Sequence, residues 1–312
     1  MGKRATREAF GATLVELARE GLDVVAVEAD LSKSTTTAVF EDAFPERFFN
    51  VGIAEQNMID VAAGLAVSGK IAFTGSFAVF ATGRAYDQVR NTVCYSDLDV
   101  KLAPTHSGIT VGPDGGSHQM VEDIALMRVL PGMRVLVPAD CNAAASLLRL
   151  AAETHGPFYV RLGRAGVPDI YPEDVHFDLG RASVLRAGGD VTLVACGVMV
   201  AEALAAADTL AADGISAEVI DAVSVKPLDV ETIAASARKT CAVVTCEEHS
   251  VIGGLGSAVA EALGETAPVP MRRIGVQDVF GTSGEPAELM AYFGLTAEDI
   301  AAAARALVSA KE

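Results

Sequence analysis

The segment PTHSGITVGPDGGSHQ, from Pro104 to Gln119, holds two histidines twelve residues apart, one acid and four glycines, with no periodicity that would serve a core. Gly-rich backbone can approach a ligand closely, and His106 and His118 can hydrogen-bond to hydroxyls or phosphate. His106, Asp114 and His118 could also supply three metal ligands, although their spacing matches no compact zinc pattern. In GSFAVFATGRAYDQVR, Phe77 and Phe80 stand three residues apart directly after a strand, where they could stack on a flat ligand ring or simply pack in a core. A third feature is a carboxylate, Glu55, at the start of an apolar helix in FFNVGIAEQNMIDVAAGLAVSG. Counting from Ala54, apolar side chains recur at Met58, Val61, Ala62 and Leu65, the spacing of one buried helical face, which puts Glu55 in the first turn. A first-turn Glu complements the positive end of the helix macrodipole.

These residues depend on an alternation of short β-branched runs and longer Ala-rich helical stretches. LDVVAVEAD, KIAFTGS, DVKLAPTH, RVLVPAD and FYVRLG read as strands with helices between them. Strands apolar on both faces predict a parallel sheet covered by helices on each side. The pattern lapses in GRAGVPDIYPEDVHFDLG, which reads as a linker. It resumes with strands in DVTLVACG, SAEVIDA, CAVVTCEE and MRRIGV, and with helices near Met199–Asp213, Asp229–Lys239, Leu255–Leu263 and Thr296–Ala310. The expected organisation is α/β, with one domain over 1–165, a linker over 166–182 and a smaller α/β domain over 183–312. Ligands gather at the carboxyl ends of strands in such sheets. Asp30, Ser34, Ser76, Phe77, His106 and Arg164 all follow strand ends.

The chain has 312 residues, is 51% hydrophobic and has a formal net charge of −17. That charge would repel phosphate backbones and anionic lipid, which argues against nucleic acid or membrane as partners. Five cysteines form no CxxC pair and fit a reduced, intracellular chain with mostly buried thiols. The N-terminus has no apolar h-region, and the uncharged run Val191–Ala201 is too short to span a bilayer. A soluble, cytoplasmic protein is expected. The glycines of EEHSVIGGLGSAVAEALG precede a helix and could bind an anion there, although a turn and helix cap explains them more simply.

Several separated motifs in order, FFNVGIAEQNMIDVAAGLA, GSFAVF, PTHSGITVGPDGGSHQ, LPGMRVLVPAD and FYVRLGR, resemble the pyrimidine-binding and C-terminal domains of transketolase, from about Ala5 to the end. The resemblance implies that Glu55 bonds the aminopyrimidine N1′ of thiamine diphosphate and exchanges a proton with it. An apolar helix start disfavours the charged carboxylate, which suits a group that moves a proton near neutral pH. The resemblance makes Phe77 and Phe80 the aromatics around the pyrimidine ring and matches Asp30 and Leu31 to the family's ADL turn near the cofactor. His106, Asp114 and His118 become contacts to sugar hydroxyls and phosphate. It makes Arg7, Ser34 and Arg164 a phosphate clamp, a role that suits the planar guanidinium fork. Taken singly, Arg7 could be a solvated helix residue, Arg164 a salt-bridge partner, Ser34 a helix cap and Asp30 a turn former.

Two departures matter. The third aromatic often found three residues beyond the pair is replaced by Gly83, leaving the pocket looser or completed by another residue. No GDG followed by an NN pair occurs, the family's signature for holding magnesium and diphosphate. The resemblance is therefore to the C-terminal subunit of a split transketolase, with Mg2+ ligands expected on an N-terminal subunit that carries the diphosphate-binding domain. It implies transfer of a two-carbon ketol unit between sugar phosphates, as in pentose phosphate interconversion, by a homodimeric core within a heterotetramer. The β chain of a 2-oxoacid dehydrogenase and deoxyxylulose-phosphate synthase share a pyrimidine-domain Glu and are the nearest rivals, but THSGITVGPDGGSH favours a sugar-phosphate transketolase. The rival of another class is a non-catalytic scaffold, which would have no use for Glu55, His106, Asp114, His118 and both arginines together.

Overall fold

Strand runs as apolar as VVAVE and VTLVA can be stable only with both faces covered, and that requirement sets the architecture. The computed structural model describes residues 2–311; Met1 and Glu312, the outer ends of the expected domains, lie outside the described residues. In chain order the strands are β1 (Lys3–Ala5), β2 (Val24–Glu28), β3 (Phe48–Asn50), β4 (Ile71–Thr74), β5 (Val100–Leu102), β6 (Arg134–Leu136), β7 (Phe158–Val160) and β8 (Gly166–Pro168). They continue as β9 (Ser183–Arg186), β10 (Val191–Ala195), β11 (Ala217–Asp221), β12 (Ser224–Lys226), β13 (Val243–Ser250) and β14 (Met271–Val276). A seven-stranded sheet runs β12-β6-β7-β5-β4-β2-β3 and a five-stranded sheet runs β14-β13-β10-β11-β9. Every pairing in both is parallel except those of β12 with β6 and β9 with β11, at one edge of each sheet.

The expected helices form at Met199–Ala212, Val230–Thr240, Leu255–Thr266 and Ala297–Ser309, and the apolar stretch after Ala54 is helical over Glu55–Val67. Their starts follow side-chain chemistry. The Asp229 carboxylate accepts from the Thr232 N–H, and Thr296 and Asp299 cap each other reciprocally.

Three short strands depart from the expected partition. β8, inside the expected linker, pairs antiparallel with β1 and so ties the first residues of the chain to those just after Arg164. β12, well inside the expected second domain, adds to the edge of the seven-stranded sheet. β3 forms from FFN, ahead of the helix that carries Glu55. Each is three residues long, too short to show a period of two, and each is fixed by its partner strand. Four cysteines are buried and Cys241 is exposed. Among the described residues no helix is long and apolar enough to cross a membrane.

Candidate functional site

The carboxyl end of β2 is organised by a buried carboxylate that the sequence reading passed over. Glu28 Oε1 accepts from the hydroxyls of Thr35 at 2.5 Å and Thr37 at 2.8 Å. Its Oε2 accepts from the N–H groups of Ala29 at 3.3 Å and Ser76 at 3.2 Å. Burial pushes this carboxyl up in pKa, and those four donors oppose the shift. The turn after β2, with Asp30 and Leu31, is thus braced against the turn after β4, with Ser76 and Phe77. Gly75 has to be glycine, because a Cβ there would lie 1.8 Å from the Glu28 carboxylate. Asp30 takes a left-handed φ of 64°, and its N–H donates to Asn50 Oδ1 at 3.1 Å. The same oxygen accepts from the Gly52 N–H at 3.0 Å, which joins the Asp30 turn to the segment entering the Glu55 helix.

Glu55 is 2% exposed. Its surroundings are apolar on the helix side but not neutral, because Arg84 Nη1 donates to both carboxylate oxygens at 2.9 Å. The Arg84 guanidinium lies 4.6 Å from the Phe80 ring centroid. A side chain at Gly83 would meet open space, and the next residue, Arg84, closes a wide, π-type helical turn over Val79–Arg84. Phe77 and Phe80 stack with centroids 5.9 Å apart and planes 15° from parallel. Phe77 is buried under His106, whose ring stacks on it at 3.8 Å, while Phe80 is partly exposed. His118 meets Phe77 edge-on at 6.3 Å and Phe80 at 5.6 Å. Glu55, Arg84, Phe80, His118, Phe77 and His106 therefore form one contiguous line. His106 takes a φ of 60°, and its Nδ1 shares a 2.7 Å hydrogen bond with Thr105 Oγ1.

Two arginines influence His106. Arg7 Nη1 donates to the Ser34 carbonyl at 2.6 Å, so Ser34 enters through its backbone rather than its hydroxyl. Arg164 Nη1 donates to the Val111 carbonyl and lies 3.9 Å from Asp114 Oδ2. Burial and the nearby Arg164 charge lower the pKa of Arg7, and Arg7 Nε is buried without a hydrogen-bond partner. Burial, then Arg7, Arg164 and His118, depress the His106 ring to about 3. A depressed imidazole is neutral above that value, so His106 is expected to show no protonation between pH 5 and 8 in a 15N NMR titration. A midpoint inside that window would contradict this electrostatic picture. Among the described residues no three His, Cys, Asp or Glu side chains are grouped to hold a metal. His106 stacks on Phe77, His118 meets Phe77 and Phe80 edge-on, and Asp114 lies beside Arg164.

Residues 2–169 match the family model for the transketolase pyrimidine-binding domain, and residues 180–300 match that for the transketolase C-terminal domain. The chain belongs to the transketolase family. It is 48% identical over 301 residues to a putative transketolase C-terminal section of Methanocaldococcus jannaschii, covering 96% of this chain and 94% of that one. It is also 48% identical over 305 residues to the 6-deoxy-6-sulfo-D-fructose transketolase subunit SqwH of a Clostridium species, covering 98% and 95%. A solved structure described as a split gene transketolase, inactive beta4 tetramer, superposes with a TM-score of 0.92 at 54% identity over the whole of both chains. The chain is thus related along its length to C-terminal subunits of split transketolases.

The residues of this transketolase-family chain fit the aminopyrimidine half of thiamine diphosphate. A buried carboxylate with lone pairs left beyond its bonds to Arg84 can pair with a ring nitrogen, and the partly exposed Phe80, under the Arg84 guanidinium, supplies apolar surface beside it. Glu28, Asn50 and Arg84 were missed because single polar residues inside apolar or turn segments carry no periodic signal. Only the fold brings them to the strand ends.

The glycines of EEHSVIGGLGSAVAEALG open the helix Leu255–Thr266. The Glu247 carboxylate accepts from the Leu255 N–H at 2.7 Å and the Gly256 N–H at 2.8 Å, so the helix N-terminus is capped from within the chain.

Proposed function

We propose that this chain is the C-terminal subunit of a thiamine-diphosphate-dependent transketolase, moving a two-carbon ketol unit from a ketose phosphate to an aldose phosphate in complex with a diphosphate-binding subunit. The observation that carries the reading is the order of groups along one sheet edge: buried Glu55, the Phe77–Phe80 pair, the histidines, then Arg7 and Arg164 with an unpartnered buried N–H. When bound, thiamine diphosphate supplies a nucleophilic carbon that holds the electron pair released on C2–C3 cleavage. Glu55 bonds N1′ and moves a proton at that atom. Phe77 and Phe80 exclude water from the ring, with Asp30 and Leu31 closing the turn beside it. His106 is held through Nδ1 by Thr105 and, being uncharged, uses Nε2 toward a sugar hydroxyl. His118 and Asp114 serve the same end of the sugar, and Arg7 and Arg164 take its anionic tail, with the Ser34 carbonyl orienting Arg7. Mg2+ ligands are assigned to the partner subunit, with two copies of each chain in the assembly.

The test is ketol transfer by the chain reconstituted with the diphosphate-binding subunit. The name of the Clostridium relative gives a sulfonated ketose, so 6-deoxy-6-sulfofructose belongs beside ketose phosphates in the donor panel. Absence of transfer from every anionic ketose by a folded, cofactor-loaded complex would refute the reading. Arg164→Ala is expected to raise KM for phosphorylated donors by about 10- to 100-fold, the effect of losing charge-assisted hydrogen bonds. KM for an unphosphorylated donor should change by less than about threefold. Equal effects on the two donors would remove Arg164 from the clamp.

A further inference from the structure

All four glycines of the Pro104–Gln119 segment abut the C-terminal domain. A Cβ at Gly108 would lie 2.2 Å from the Glu248 carboxylate carbon, one at Gly115 2.4 Å from Ser283 Oγ and one at Gly116 2.5 Å from the Gly281 carbonyl oxygen. One at Gly112 would meet Pro286 at 3.4 Å. The glycines that the sequence suggested would admit a ligand instead admit residues 248 and 281–286. Two of these contacts are reinforced by hydrogen bonds. Glu248, buried on β13, accepts from the Thr110 N–H through Oε1 at 2.6 Å. Gln119 Nε2 donates to the Thr282 carbonyl at 2.8 Å and to the Ile109 carbonyl, within its own loop, at 3.0 Å. The next carbonyl after Thr110, that of Val111, is the one that receives Arg164 Nη1. Arg161, whose Nη2 donates to the Met120 carbonyl at 3.2 Å and the Glu248 carbonyl at 3.0 Å, ties the far end of the loop to the same strand.

We propose that the C-terminal domain is the template for the substrate loop, with Glu248 and Gln119 as positioning residues that set Arg164 and His118 from outside the pyrimidine-binding domain. This rests on the transketolase reading for its catalytic consequence but not for its structural one. An unbraced loop of this glycine content would spend its time in many conformations. The brace selects the one in which the Val111 carbonyl holds Arg164 and His118 lies against Phe80.

The test pairs amide hydrogen exchange on the full chain with kinetics of the reconstituted complex. Glu248→Leu removes the acceptor for Thr110, whereas Glu248→Gln keeps it. In the leucine variant, exchange at Thr110 to Gly116 should quicken by about 10- to 100-fold. The glutamine variant should stay within about threefold, and strands β2 and β10 should be unchanged in both. In the complex, Glu248→Leu should raise KM for the ketose phosphate about tenfold, with kcat and thiamine diphosphate affinity altered less than about twofold. If Glu248→Leu does not fold, Gln119→Met, which cuts the tie to Thr282, carries the same expectation. Unchanged loop exchange in a folded Glu248→Leu or Gln119→Met chain would overturn the proposal. So would quickened exchange with no change in KM for a complex that does transfer ketol units. A complex that transfers none would count against the transketolase reading, with the exchange data still deciding the brace.

Discussion

Glu55→Gln is expected to leave a folded chain whose turnover in the assembled enzyme falls by about 10² to 10⁴, the usual worth of a positioned acid–base group. The substitution is nearly isosteric, and the amide oxygen can still accept from Arg84 Nη1, which bonds both oxygens of the native carboxylate at 2.9 Å. Arg84 is half exposed, so its charge can turn to solvent rather than stay buried without a partner. Folding should therefore survive. What the amide cannot do is give and take a proton at N1′, and that loss falls on kcat rather than on donor KM. Glu55→Asp keeps the chemistry but withdraws the carboxyl by one methylene, so an intermediate loss is expected. Steady-state kinetics of the three reconstituted proteins, with circular dichroism as the folding control, check this. Wild-type turnover in Glu55→Gln would return Glu55 to the role of a helix-dipole complement.

The elements that position Glu55 were legible because the helix is long and periodic and the strands lie in apolar, β-branched runs. The Met58, Val61, Ala62, Leu65 spacing corresponds to the helix Glu55–Val67, and the β-branched runs correspond to β2, β4, β5, β6 and β7. What the sequence concealed is of two kinds. The strands that local pattern did not mark, β1, β3, β8 and β12, are decided by pairing across as many as 165 residues of chain, as with Lys3 and Pro168. Polar residues that act through position, such as Glu28 between two turns and Arg84 over Phe80, look in the sequence like ordinary strand-end and helix residues. The glycines of the substrate loop were visible but misread in part. Glycine signals close approach without saying what approaches, and here it is Glu248, Ser283 and Gly281 of the C-terminal domain.

The second large effect concerns the other half of the cofactor site. The chain matches the transketolase pyrimidine-binding domain but carries no GDG and NN signature, and a diphosphate brought to a chain of net charge −17 meets repulsion unless a metal neutralises it. Thiamine diphosphate is expected to bind the isolated chain weakly. Affinity should rise by at least about 100-fold, and become magnesium-dependent, once a diphosphate-binding subunit is present. The proposed clamp, Arg7 and Arg164, is not expected to replace that function, because on this reading it takes the anion of the sugar. Calorimetric titration of thiamine diphosphate with Mg2+ into the purified chain, its diphosphate-binding partner and their mixture tests the account most directly. The account predicts tight, magnesium-dependent binding in the mixture alone, abolished by removing magnesium and accompanied by ketol transfer. Tight binding and turnover by the 312-residue chain on its own would contradict it.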